Sequence, residues 1–395
     1  MDGSAAAGPP PDRPEASPLR ARLRAAADRS GELRFDRFME IALYAPEGGY
    51  YARPDLTFDG GGDFYTAPAV APLFGWAVAE RLLAAWRLQG APRRYRIVEL
   101  GPGDGTLAGD ILEHLGRRLG PAAGGFSYEL ADRSSARAEA AYRRAAGRAG
   151  AIALGLPPRT GAATPFPGAV IANEVLDAFP CRRFVARGGR WFERYVDVAA
   201  GVGTERPVDR PDLPAPEEGA ELEVADGAAG LVRSWADRLT DGLLLLLDYG
   251  GPAGNGGRAT LQSLRGHRAG RDLLEDPGRQ DLSAWVDFPR IRAAARRAGF
   301  LEVAFRSQAE ALTDWGLGDL ARPWIAAAAD PVERVRRHLA VKNLLFGFPN
   351  FQVLELAAGA LARASAVPAP PVRAAAPGAD GPAGGGRPAT GMRAR

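Results

Sequence analysis

One cysteine, Cys181, stands in 395 residues, so no internal disulfide forms and no Cys/His cluster is at hand for structural zinc. The three histidines, His114, His267 and His338, fall in separate segments, which argues against a metal centre built from them. Lysine is almost missing too: Lys342 is the only one, and arginine supplies the rest of the positive charge. That skew, with abundant Ala, Gly and Pro, reads as the codon bias of a GC-rich, bacterial genome. Arginines and acids are interspersed and the net charge is only +3, so no basic stripe marks a nucleic-acid partner. No apolar run approaches the ~20 residues of a membrane span. The leucine run Leu243 to Leu247 suits a buried strand. Met1 to Pro18 is small, polar and Pro-rich without an apolar h-region, so no secretory leader is expected there. A cytoplasmic protein without membrane contact is the expectation. What is present is ordinary for a globular chain, with 46% hydrophobic and 25% charged residues and enough length for a large core.

Residues 1–17 and 366–395 are rich in Pro, Gly and Ala and are expected to be disordered tails. Between them strand-like and helix-like segments alternate. Strands are expected at 96–100, 126–131, 169–172, 243–248, 301–305 and 351–356, and helices at 106–118, 134–148 and 291–298. That alternation predicts an α/β fold with a doubly wound, mostly parallel sheet. The core would span 91–357. A helical region over 18–90 precedes it, with helices near 35–43 and 73–88 and a glycine-rich loop at Gly60–Phe64 that suits a lid. Segments 181–240 and 251–287 interrupt the core and would form a substrate-binding subdomain. The first should contain a hairpin over 183–198 turning at Gly188-Gly189.

The most informative stretch is Tyr95 to Leu107. It reads as a buried strand ending in an acid, then a tight glycine-rich turn, then a helix start. Glycine has no Cβ, so a ligand can lie directly on such a turn. The helix start adds free N–H groups and a partial positive charge. The pattern Glu99-x-Gly101-x-Gly103-x-Gly105 differs from the dinucleotide fingerprint G-x-G-x-x-G. It resembles motif I of class I S-adenosylmethionine methyltransferases.

Further stretches extend the likeness in order. They are Phe38-Met-Glu-Ile-Ala-Leu-Tyr-Ala-Pro46 with Gly49-Tyr50-Tyr51, Gly62-Asp-Phe-Tyr-Thr-Ala-Pro68, Leu73-Phe-Gly75, and Val98 to Leu107. Asn173-Glu-Val-Leu-Asp-Ala-Phe-Pro180, Asp248-Tyr-Gly250, and Gln280-Asp-Leu-Ser283 with Val286-Asp-Phe288 complete the set. Over about residues 35–300 the chain therefore resembles the MidA type of class I methyltransferase. This family includes the mitochondrial complex I assembly factor that methylates a protein arginine. The chain departs from the pattern at Ala69, where an acid is usual, at Trp285, where histidine is usual, and past about Leu312. These departures bear on the acceptor more than on the cofactor.

The resemblance implies a Rossmann-like methyltransferase sheet and S-adenosylmethionine as cofactor, with no metal. Its implied contacts are Glu99, Gly101, Pro102, Gly103, Gly105, Thr106 and Leu107. Glu99 lies near the methionine end in that class. Asp132, at the end of the second strand, could accept both ribose hydroxyls. Glu129 is the alternative ribose acid, and a helix cap ahead of Ser134 is the bland reading of Asp132. In the lid loop, Gly62, Asp63 and Phe64 would cover the cofactor. Asn173, Glu174 and Asp177 follow the fourth strand, where the ligand crevice of an open α/β sheet lies. Asn173 would touch the cofactor. All three would hold an acceptor in line, and a carboxylate would take its proton. Alternatively Glu174 and Asp177 only cap the turn. The expected activity is methyl transfer to a protein side chain, an arginine-like nitrogen by resemblance. A small-molecule O- or N-methyltransferase and a non-catalytic assembly factor are the other readings, and a homodimer is compatible with all three.

Overall fold

The computed structural model describes residues 17–53, 56, 66–157, 164–251, 256–265, 268–270 and 272–365. Gly62, Asp63 and Phe64, and the expected tails apart from residue 17, lie outside the described residues.

Seven strands form the central sheet: β1 (Tyr95–Leu100), β2 (Phe126–Ala131), β3 (Ala153–Gly155), β4 (Phe166–Asn173), β5 (Leu239–Tyr249), β6 (Leu301–Ser307) and β7 (Phe351–Ala358). Their order is β3-β2-β1-β4-β5-β7-β6. The first five run parallel, while β7 is antiparallel to both β5 and β6. The fold is the expected α/β class with its mostly parallel sheet. The chain winds outward from β1 to β3 and then returns to β4 on the other side of β1. The crevice between the carboxyl ends of β1 and β4 is therefore the switch point where such sheets bind ligands.

The leucine run of β5 shows why this sheet sits at the centre. Leu243, Leu245 and Leu247 point to one face, against Ile97, Ile111, Leu112 and Tyr128. Leu244 and Leu246 point to the other, against Val170, Val232, Trp235 and Ile291. Where the strand is covered on both faces, from Leu243 to Leu247, it has no place for a polar side chain, and the first to follow is Asp248. The strands expected over 169–172 and 243–248 are longer than their apolar centres. β4 begins at Phe166 and β5 at Leu239 because polar and glycine positions at their starts still join the ladder.

Around this core lie two smaller sheets. Arg182–Arg187 and Arg190–Asp197 form the expected hairpin, and Gly188 and Gly189 take the positive φ values that its two-residue turn needs. Glu32–Arg34, Val202–Val208 and Glu221–Val224 complete an antiparallel sheet on which the helix Phe35–Tyr44 packs. Gln262–Arg265, Arg268–Gly270 and Asp281–Ser283 make a third sheet. Between β6 and β7 the chain inserts three helices, Gln308–Asp314, Leu317–Ala326 and Pro331–Phe346. A capping box of Ser307 and Glu310 starts the first, and Asp330 caps the third.

Candidate active site

A cavity of about 1160 Å³ opens at the carboxyl ends of β1, β2 and β4. Its first wall is the turn after β1. Gly101, Gly103 and Gly105 all have positive φ (59°, 57° and 85°), a region that L side chains rarely adopt. The Gly101 N–H donates to the Ala131 carbonyl at 2.8 Å, tying the turn to the end of β2. Gly101, Pro102, Gly103, Thr106 and Leu107 line the cavity. Gly105 does not. It lies behind the wall at the start of the helix Thr106–Leu119, where a Cβ would stand 2.5 Å from the Ala141 carbonyl oxygen of the neighbouring helix. Its bareness serves helix packing.

Glu99 is buried at the end of β1 and lines the same cavity. The Tyr128 hydroxyl donates to its Oε2 at 2.8 Å. Burial nevertheless pushes its pKa up to about 7. Asp132 follows β2 and also faces the cavity. Its Oδ1 accepts the Ser134 N–H at 2.8 Å, and Oδ2 lies 3.9 Å from the Arg137 Nε. The cap of the next helix is Ser134 itself, whose Oγ accepts the Arg137 N–H. Glu129 instead pairs with Arg96 at 2.6 Å and is absent from the cavity wall.

The opposite wall begins where β4 ends. Asn173 is the last residue of β4, and Glu174 follows with φ of 52°. A glutamate held there costs about 1–3 kcal/mol, which the surroundings must over-determine. They do so through two anchors. The Glu174 N–H donates to the Leu247 carbonyl at 2.9 Å. Asp248, fully buried at the end of β5, accepts the N–H groups of Val175, Leu176 and Asp177 at 3.1, 2.8 and 3.3 Å, and that of Tyr249 at 2.9 Å. Asp248 thus caps this turn, and the side chains of Glu174 and Asp177 line the cavity, where Asp177 also accepts the Ala178 backbone N–H.

Asn173, Glu174 and Asp177 stand together in this wall, each partly buried. The Asn173 Nδ2 donates to Glu174 Oε1 at 3.2 Å. Asn173 Oδ1 and Asp177 Oδ1 are buried with no hydrogen-bond partner among the described residues. Withdrawal from water, then the nearby Asp177 charge, pushes the Glu174 carboxyl up to about 8. Withdrawal from water likewise pushes Asp177 up to about 6, against a Tyr249 hydrogen bond that lowers it. Burial, followed by the charges of Asp177 and Glu174, raises Asp248 as well. Among the described residues neither Glu174 nor Asp177 pairs with an arginine or lysine. Such a cluster favours a cationic ligand that lets its members give up their protons.

Sequence reasoning overlooked the aromatic side of this wall. Tyr44 and Tyr51 stack with ring centroids 5.4 Å apart, and both line the cavity. The Tyr44 hydroxyl donates to the Ala178 carbonyl at 2.8 Å, and that of Tyr51 to Asp281 Oδ1 at 2.9 Å. The Arg133 guanidinium lies 4.0 Å over the Tyr44 ring and pairs with Glu40. A signal existed: Tyr44, Tyr51 and Asp281 all fall inside the recurring stretches, and it was their convergence that the linear chain concealed.

The cavity suits a cofactor with one flat neutral end and one cationic end. Backbone and Asp132 are available at one side, and carboxyls and unpartnered acceptors at the other. Comparison with known proteins gives the same answer. A family model for S-adenosyl-L-methionine-dependent methyltransferases matches residues 77–305. A Burkholderia thailandensis protein solved with S-adenosyl-homocysteine bound is 30% identical, with a TM-score of 0.73, over 87% of this chain and 94% of that one. The Drosophila melanogaster protein arginine methyltransferase NDUFAF7 homolog, mitochondrial, is 29% identical over 74% of this chain and 75% of its own length. The Danio rerio protein arginine methyltransferase NDUFAF7, mitochondrial, is 29% identical over 67% and 69% respectively.

Proposed function

The chain belongs to the S-adenosyl-L-methionine-dependent methyltransferase family, and we propose that within it the methyl acceptor is an arginine guanidinium of a protein, held by Asn173, Glu174 and Asp177. The cofactor supplies a methyl group already activated by its sulfonium. The protein's task is then placement, water exclusion and proton handling. Glu99, Gly101, Pro102, Gly103, Thr106, Leu107 and Asp132 hold the cofactor in this reading, with Asn173 at its reactive end. Gly105 supports the turn from behind.

One observation carries the acceptor assignment. Two carboxyls without a cationic partner among the described residues, Glu174 and Asp177, stand beside the Asn173 amide in the cavity wall, and Asn173 Oδ1 and Asp177 Oδ1 have no hydrogen-bond partner there. A guanidinium is planar, permanently charged and rich in N–H donors, so it matches paired carboxylates and an amide oxygen. Its arrival favours the ionised forms of Glu174 and Asp177. Glu174 then accepts the proton that the acceptor nitrogen loses as the new C–N bond forms and the S–C bond of the sulfonium breaks, its electron pair staying on sulfur. The smaller sheets, one of which brings Asp281 to Tyr51, act as the acceptor-side subdomain. The printed names of the Drosophila and Danio relatives, protein arginine methyltransferases, support the same acceptor. Those names also say mitochondrial. For this chain a cytoplasmic setting rests on its single, buried Cys181, and no described helix is long and apolar enough to cross a membrane.

The test is incubation of the purified protein with S-adenosylmethionine and arginine-containing peptides, read by mass spectrometry. Methylation localised to arginine side-chain nitrogen is expected. Transfer to small-molecule oxygen or amine acceptors, with none to arginine, would replace the assignment.

A further inference from the structure

The helix Pro331–Phe346 buries one side chain, Leu344, in sixteen residues. Its outer face carries Val332, Val335, Leu339 and Phe346, exposed by 60, 58, 57 and 72%. Four large apolar side chains left in water along one helix are unusual enough to mark a contact surface. Their spacing is +3, +4 and +7, the a and d positions of a heptad seam. At about 100° per residue they occupy only ~60° of arc, much narrower than the apolar face of a helix lying in a membrane surface. The seam is thus shaped for one partner helix.

Charge selects the partner. The helix carries Arg334, Arg336, Arg337 and Lys342 against a single acid, Glu333, and Arg337 is already paired with Glu333. Arg336 and Lys342 are exposed. Arg336 borders the seam, and Lys342 takes the d position between Leu339 and Phe346. A second copy laid antiparallel about Leu339 would set Arg336 against Lys342. A parallel copy would set Lys342 against Lys342. Both pairings repel, whereas an acidic helix satisfies every position.

Position ties the surface to the reaction. The helix also packs against the short helix Ala67–Val70, and Pro68, Ala69 and Val70 line the active-site cavity. We propose that the insertion between β6 and β7 is a docking arm for an acidic amphipathic helix of the methyl-accepting protein. The proposal rests on the protein-acceptor reading and adds a second, remote contact to it.

The probe is a fluorescent sixteen-residue helical peptide with Leu at a and d and Glu at e and g, titrated with the full chain. Its twin with Lys in place of Glu is the control. The acidic peptide should bind with a Kd on the order of 10 µM and weaken as salt rises. Leu339→Glu and Phe346→Glu should each weaken it by at least about tenfold. Both residues are exposed, so their melting temperatures should match wild type. Methylation of a short arginine peptide should be unchanged in both variants, which separates failure of the arm from failure of the acceptor reading. Equal binding of both peptides, or no binding of the acidic one, overturns the proposal. So does a dimer in sedimentation that Leu339→Glu dissolves, or capture by anionic phospholipid vesicles that the same variant abolishes.

Discussion

The two walls of the cavity are built by opposite means. The wall after β1 is mostly backbone: a glycine turn and a helix start, within about a dozen consecutive residues. The facing wall is mostly side chain. Tyr44, Tyr51, Glu174 and Asp177 reach it from three separated segments, held in place by Asp281, Asp248 and Tyr249. A ligand resting on backbone depends on positions where nothing may be added. A ligand gripped by side chains depends on groups that may be exchanged one at a time. The two walls should therefore fail differently when altered.

The largest effect is expected at the glycine turn. Gly103→Val adds bulk at a position with φ of 57° on the cavity wall, and calorimetry should detect no binding of S-adenosylhomocysteine. Next comes Glu174→Gln on the other wall. It keeps size and removes the ionisable group. Single-turnover methyl transfer should fall by about 10²–10⁴, with cofactor affinity within a few-fold of wild type. Asp132→Ala removes a charged hydrogen-bond acceptor, and cofactor affinity should fall by about 1.5–3 kcal/mol, roughly ten- to hundredfold in calorimetry. Normal affinity in a folded Asp132→Ala sample would place the ribose elsewhere.

Gly105 sharpens the contrast within the turn itself. Gly105→Ala strains a φ of 85° and meets the Ala141 carbonyl. It should lower stability by about 1–3 kcal/mol while leaving the affinity of the folded fraction within a few-fold. A selective loss of affinity would return Gly105 to the binding surface.

The smallest effect is one of pH. The carboxyls of Glu174, Glu99 and Asp177 sit at about 8, 7 and 6, above their ordinary range. The native state therefore holds protons that the unfolded chain has released. Stability contributed this way is complete below the ordinary carboxylate range and declines as pH rises toward 8. The ligand-free melting temperature should drop between pH 5 and 8, and less so in Glu174→Gln. Over pH 6 to 8 the affinity for cationic S-adenosylmethionine should rise a few-fold relative to neutral S-adenosylhomocysteine. A ratio independent of pH would mean that the carboxyls do not face the sulfonium.

The same contrast explains what could be read from the chain. The strand, turn and helix from Tyr95 to Leu119 obey local rules, so composition and order alone located them. The hairpin at Gly188-Gly189 was equally local. β3 is only three residues, Ala153–Gly155, at a sheet edge, and carries no periodic signal. The helix Asp226–Ala236 lay inside a segment recognised as an interruption without its internal structure. Asp248 was visible in a recurring stretch, but its task is to cap a turn some seventy residues earlier. That link exists only once β4 and β5 are paired. The stacked Tyr44 and Tyr51 likewise gain meaning from Asp281, which a different sheet delivers.

Both walls should face a single bound cofactor, one carrying it and the other meeting its reactive end. A crystal structure of this chain with S-adenosylhomocysteine tests that most directly. The predicted result has the ribose at Asp132, the chain of the ligand over Gly101 and Gly103, and the sulfur in contact with the Asn173–Glu174 wall beside Tyr44 and Tyr51. A ligand whose sulfur points away from that wall, with the Glu174 side chain turned out of the cavity, would contradict it.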